Sequence, residues 1–80
     1  MTQTAPPIEA LAAIINSLRE AQGLSATKLA EAVGITEPTF RRRLRGVPPF
    51  DLLELENVAA KLGTDSGTLL TLAHAQRDAA

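Results

Sequence analysis

Four arginines fall within five consecutive positions of this 80-residue chain, at Arg41, Arg42, Arg43 and Arg45. A guanidinium is a planar fork of donors that keeps its charge at any physiological pH. It can therefore grip carboxylates, phosphates, or the O6 and N7 acceptors of guanine with two prongs at once. Just upstream stand Glu37, Pro38 and Thr39, which supply an acceptor, an apolar ring and a hydroxyl. Nothing comparable occurs elsewhere. Cysteine is absent, His74 is the only histidine, and the carboxylates are scattered without a spacing that specifies acid/base work. With no base–nucleophile pair, no metal-ligand set and no glycine-rich phosphate loop, the sequence gives no reason to expect an enzyme, a metal or a cofactor. The chemistry on offer is binding, and a polyanion is the partner it suits.

The overall charge argues the other way until its distribution is read. Net charge is −1 and the isoelectric point about 5.7. From Glu37 to Phe50, however, there are four arginines against one glutamate, and the remainder carries four basic and eight acidic side chains. Such a division aims one basic face at a polyanion and lets the rest of the surface repel it, which defines how the two dock.

Those arginines must be held by something, and the flanking grammar is helical. Ser25 and Thr36 are hydroxyl residues placed to cap the first turn of a helix. Leu24 with Leu29, and Ile35 with Phe40, are spaced as hydrophobic staples. Gly34 and Gly46 supply left-handed stops. The spacing predicts one helix over about Ala26 to Val33, burying Leu29, Ala30 and Val33, and a second over about Glu37 to Arg45, turned inward by Phe40 and Leu44. At 100° per residue, Arg42 lies about 200° and Arg45 about 140° around that helix from Phe40, with Pro38 and Thr39 also on the outer half.

The rest of the chain reads as packing. Residues 1–5 lack periodicity and are expected to be disordered, with Pro6 and Pro7 leading into a helix. Ile8, Leu11, Ile15 and Leu18 form one face of that helix, which ends near Gln22 with Gly23 as its stop. Pro48 and Pro49 make a stiff connection. Asp51 and Glu54 match a capping box for a fourth helix that buries Leu52, Leu55, Val58, Ala59 and Leu62. Asp65 or Ser66 can cap a fifth helix carrying Leu69, Leu70, Leu72 and Ala73, with a fraying tail and residues 78–80 disordered. There is room for one domain, residues 1–80, and no run long and apolar enough for a membrane. A cytosolic protein is the default.

Two helices joined by a short turn containing glycine fit the helix-turn-helix, whose second member enters the major groove of DNA. Leu29-Ala30, Gly34-Ile35-Thr36, Phe40 and Arg45-Gly46 carry a further resemblance. They are followed by Ala59-Ala60-Lys61-Leu62-Gly63 and Leu69-Leu70. Over about residues 11–73 the chain resembles the Cro and repressor, XRE-like, family of helix-turn-helix regulators. The Thr39-to-Leu44 stretch and Phe50 look most like versions found in phages of actinobacteria. The resemblance implies an all-α, five-helix, lambda-repressor-like bundle that binds a double-stranded operator, usually as a repressor, in a bacterial host's cytoplasm and nucleoid. It also implies that Glu37, Pro38, Thr39 and Arg42 face the groove. The chain departs from the family at Ala26, where a glutamine often touches phosphate, and at Arg43 and Leu44, which suggests a slightly rotated third helix.

Side-chain chemistry refines these expectations. Arg42 is the first choice for reading guanine, Glu37 could accept from cytosine N4 or simply complement the helix dipole, and Pro38 could meet a thymine methyl. Arg41, Arg43 and Arg45 are expected on flanking phosphates, as are Ser25, Thr27 and Lys28 at the start of the preceding helix. A homodimer through residues 66–77 would present paired half-sites. The competing reading is a protein-interaction module, such as an antitoxin or scaffold, that uses the same fold.

Overall fold

Helices after the first start where a side chain replaces the acceptor that the first turn lacks. In a computed structural model that describes residues 8–79, Ser25 Oγ accepts from the Lys28 N–H at 3.0 Å and Thr36 Oγ1 from the Thr39 N–H at 3.3 Å. Asp51 and Glu54 form the reciprocal capping box, at 2.7 and 3.1 Å. Asp65, rather than Ser66, caps the last helix, accepting from the Thr68 N–H at 2.7 Å. The resulting elements are α1 (Ile8–Ala21), α2 (Ala26–Val33), α3 (Glu37–Arg45), α4 (Leu52–Lys61) and α5 (Ser66–Ala79). The described residues form five α-helices and no strand.

One core joins all five. Ile15 of α1, Leu29 and Ala30 of α2, Phe40 of α3, Val58 and Ala59 of α4, and Leu69 and Ala73 of α5 are fully buried. Helix α1 packs on α3 and α5, α2 packs on α3 and α4, and α4 packs on α5. Phe40, the largest of the buried side chains, meets Phe50 at 5.9 Å between ring centroids with the planes inclined at 59°. That tilted arrangement is favourable for two aromatic quadrupoles and anchors α3 against the connection to α4. Polar ties close the ends: Gln22 Nε2 donates to the Leu62 carbonyl at 2.8 Å, and Arg19 Nη1 to the Leu24 carbonyl at 2.8 Å.

Several expectations need correcting. Leu52 is 66% exposed because it occupies the first position of α4, where the helix has not yet turned its face to the core. Val33 is only half-buried, and Ala26 is buried in the core. Leu69 and Ala73 form the inward stripe of α5, leaving Leu70 and Leu72 exposed on either side of it. Helix α5 runs to Ala79. Residues 1–7, including the proline lead-in, and residue 80 lie outside the described residues.

Candidate nucleic-acid interface

The turn between α2 and α3 is set by Gly34, whose φ of 82° places it in the left-handed region open to glycine. Its N–H and that of Ile35 satisfy the last carbonyls of α2, at 3.1 Å to Glu31 and 3.0 Å to Ala30. Ile35 then packs against the core and Thr36 begins α3. Ile35 and Phe40 thus lie on the core side at the entry to α3, which is anchored by Phe40 with its opposite side open.

On that open side Glu37, Pro38, Arg41, Arg42 and Arg45 line a shallow depression. Arg42 is exposed, and its Nη2 donates to Thr39 Oγ1 at 3.0 Å. The same Thr39 oxygen also accepts from the Thr36 hydroxyl at 2.9 Å. Thr39 therefore steadies Arg42 while keeping its own hydroxyl proton for an outside acceptor. Arg45 and Lys28 are exposed and have no hydrogen-bond or ion-pair partner among the described residues.

Glu37 is more occupied than its sequence position indicates. Oε1 accepts from the Thr27 hydroxyl of α2 at 2.8 Å and Oε2 from Arg41 Nε at 2.7 Å. The Thr27 hydroxyl, and then Arg41, hold its carboxyl below the ordinary value of 4.5. Thr27 thus spends its hydroxyl proton inside the protein, which leaves its backbone N–H as the group able to meet a phosphate.

Arg43, a phosphate candidate by sequence, turns its guanidinium toward α4, where its Nε donates to Glu54 Oε1 at 3.0 Å, with the two side chains 21% and 24% exposed. A helical wheel carries the signal, since Arg43 lies only about 60° from Phe40 and so on the inward half. The wheel could not supply the partner, because Glu54 follows after a loop whose path it does not describe. Glu54 thereby serves two elements, capping α4 and neutralising α3.

Arg43, and then the Asp51 N–H, hold the Glu54 carboxyl below its ordinary value of 4.5. A carboxyl lowered in the folded state contributes stability that is complete above the unfolded value and lost as pH falls through the folded one. Melting temperature is accordingly expected to fall as pH is taken from 5 toward 3, by roughly these linkage rules. The Glu54→Gln variant, which keeps the cap's acceptor but not the charge, should show a shallower fall; an unchanged profile would count against this role.

The helix-turn-helix domain family matches residues 10–73, which include the whole of α2, α3 and α4. Among solved structures, the chain is similar to the clp gene regulator ClgR from Corynebacterium glutamicum. Identity to one ClgR structure is 26%, with 92% of this chain and 79% of that one covered and a TM-score of 0.80. A second ClgR structure from C. glutamicum gives 25% identity, covers 94% of this chain and 96% of the other, and has a TM-score of 0.78. No curated protein sequence matches the chain.

Proposed function

The chain belongs to the helix-turn-helix domain family, and from that premise we propose that it is a double-stranded DNA-binding transcriptional regulator that reads a specific operator with α3. The carrying observation is the outward Arg42, oriented by Thr39 on a face that has no protein covering it among the described residues. Pro38 and Thr39 join Arg42 over the base edges, with Glu37 at the leading end of the helix. Arg45, Lys28, Ser25 and the first-turn N–H groups of α2 contact phosphates, since a helix leaves those groups without internal acceptors. The likeness to a clp gene regulator supports regulation of transcription. A phage Cro-like protein, or the DNA-binding domain of a repressor, is the finer form of this reading. Its place of work would be the bacterial cytoplasm and nucleoid; no described helix is long and apolar enough to cross a membrane.

The domain acts as a homodimer through residues 66–77. Exposed Leu70, which also lines an apolar recess with Ile8, Leu11, Leu44 and Phe50, supports that contact. Selection of binding sites from random duplexes tests both parts. The expected product is one preferred sequence in two-fold related half-sites, about 34 Å or a multiple apart. Recovery of no sequence preference would reject operator recognition and leave an interaction module such as an antitoxin as the better account.

The division of labour among the arginines has its own test. Arg45→Gln is expected to weaken selected and random duplexes alike and to make the salt dependence shallower by about 0.9 in log–log slope per bound subunit, as one phosphate contact is worth. Arg43→Gln should leave that slope unchanged and lower the melting temperature instead, because its partner is Glu54. Titrations of both variants between low and moderate salt, beside thermal melts, separate the two roles.

A further inference from the structure

Glu37 is the only acidic residue of α3, and it stands at the end of the helix that leads into the groove. Its two oxygens are engaged from two directions, by Thr27 on α2 and by Arg41 one turn along α3. Of the four arginines on this helix, one is compensated by Glu54, one by Glu37, and two, Arg42 and Arg45, keep uncompensated charge among the described residues. The basic face is thus weaker than its composition indicates. Holding a carboxylate there lowers attraction to DNA, so its presence calls for a compensating use.

Binding to random DNA is driven almost wholly by phosphate neutralisation, and what matters for a regulator is the ratio of specific to random affinity. On the groove-facing reading, a negative charge at the leading end of α3 counts most where that end meets phosphates, and in the correct register Arg42 would supply base contacts that random sequence does not. We infer that Glu37 determines specificity by withholding Arg41 from phosphates and repelling non-cognate duplex, so that retention depends on the base contacts of Arg42. Discrimination by an unfavourable element of this kind is a general route to specificity. This rests on the groove-facing reading of α3 and adds to it a role that base readout by Glu37 would not produce.

The test is a double-mutant cycle of Glu37→Gln and Arg41→Gln, titrated against a random duplex and the wild-type-selected duplex over a range of salt, with melts to follow the fold. Glu37→Gln retains the acceptor for Thr27 and removes the charge. Per bound subunit, it is expected to bind random duplex roughly 3- to 10-fold more tightly near 0.1 M salt, with a slope steeper by about 0.9, as one newly available cation gives. The selected duplex should change by less than about twofold, so the specificity ratio falls. Arg41→Gln alone should alter random binding by less than about twofold, and in the Glu37→Gln background it should remove most of the gain, the part that the freed cation supplies.

Loss of binding to one sequence only in Glu37→Gln would make the carboxylate a base reader and overturn the inference. Equal weakening on all duplexes with a lowered melt would make it a brace, with the same consequence. Should Glu37→Gln not hold its fold, Arg41→Gln decides alone: a slope reduced by about one unit means that Arg41 was never withheld. A wild-type protein that selects no sequence removes the groove-facing reading itself, a failure distinct from a selective wild type whose cycle shows no coupling.

Discussion

Gly46→Ala is expected to lower the melting temperature by roughly 5–15 °C, from about 1–2 kcal/mol of left-handed backbone strain at some 4–8 °C per kcal/mol for a domain of this size, with a smaller addition from the contact with Ile8. Two independent costs meet at this position. Gly46 ends α3 at φ 80°, a left-handed conformation that costs a residue with a Cβ about 1–2 kcal/mol. Its N–H and that of Val47 close the helix onto Arg43 and Arg42, so the backbone is held there at both ends of the turn. A Cβ would also stand 2.8 Å from Ile8 Cδ1 and 3.1 Å from Ile8 Cγ2, closer than carbon atoms pack. Relief requires Ile8 to move at the start of α1, where it packs over the end of α3.

Gly34 provides the control. Its φ of 82° is nearly the same, but a Cβ there would meet nothing within 4 Å. Gly34→Ala should therefore show the conformational cost alone, about 1–2 kcal/mol. Ile8→Ala combined with Gly46→Ala should recover part of the difference between the two glycine variants. If Gly46→Ala and Gly34→Ala melted together, the contact with Ile8 would be without consequence. The expected order matters for recognition too, because α1 fixes the C-terminal end of the helix that carries Arg42 and Arg45.

The second large effect is on DNA. Arg42→Ala is expected to cost about 1–3 kcal/mol on the selected duplex and to relax preference at one base pair, the amount a two-pronged contact to guanine provides. Arg42→Lys sharpens the comparison, since it keeps the positive charge without the planar fork. It should retain the salt dependence and still lose preference at that base pair. Thr39→Val removes the hydroxyl that steadies the guanidinium, and a smaller loss in the same direction is expected. Site selection repeated with each variant reads the outcome. An unchanged preference in Arg42→Ala would remove this residue from readout.

Helix boundaries were legible because they are written in short-range chemistry. Ser25, Thr36 and the Asp51–Glu54 box each act within one turn, so their spacing alone placed the starts of α2, α3 and α4. Glycines did the same for the stops, and Phe40 announced the buried side of α3. Leu52 failed the same kind of reasoning because periodicity assigns a face to a whole helix, whereas burial in its first turn depends on where neighbouring elements end.

The outer face was legible only in part. Arg42 and Arg45 stand where a helical wheel puts them, and the balance of four arginines against one glutamate was visible in composition. The wheel treats each charge as free, however, and two of these are not. Arg43 is drawn inward by Glu54 and Arg41 is matched by Glu37, which Thr27 holds from the neighbouring helix.

What the sequence by itself determined is therefore the set of five helices, their caps and the side of α3 that carries positive charge, all of which depend on interactions spanning at most a few residues. Tertiary structure decided that Arg43 is paired with α4 and that Glu37 is steadied from α2. The Arg43–Glu54 pair between α3 and α4, and the Thr27 bond that holds Glu37 from α2, depend on ångström distances across turns that local pattern does not contain, whereas the Glu37–Arg41 pair sits at i, i+4 spacing within α3.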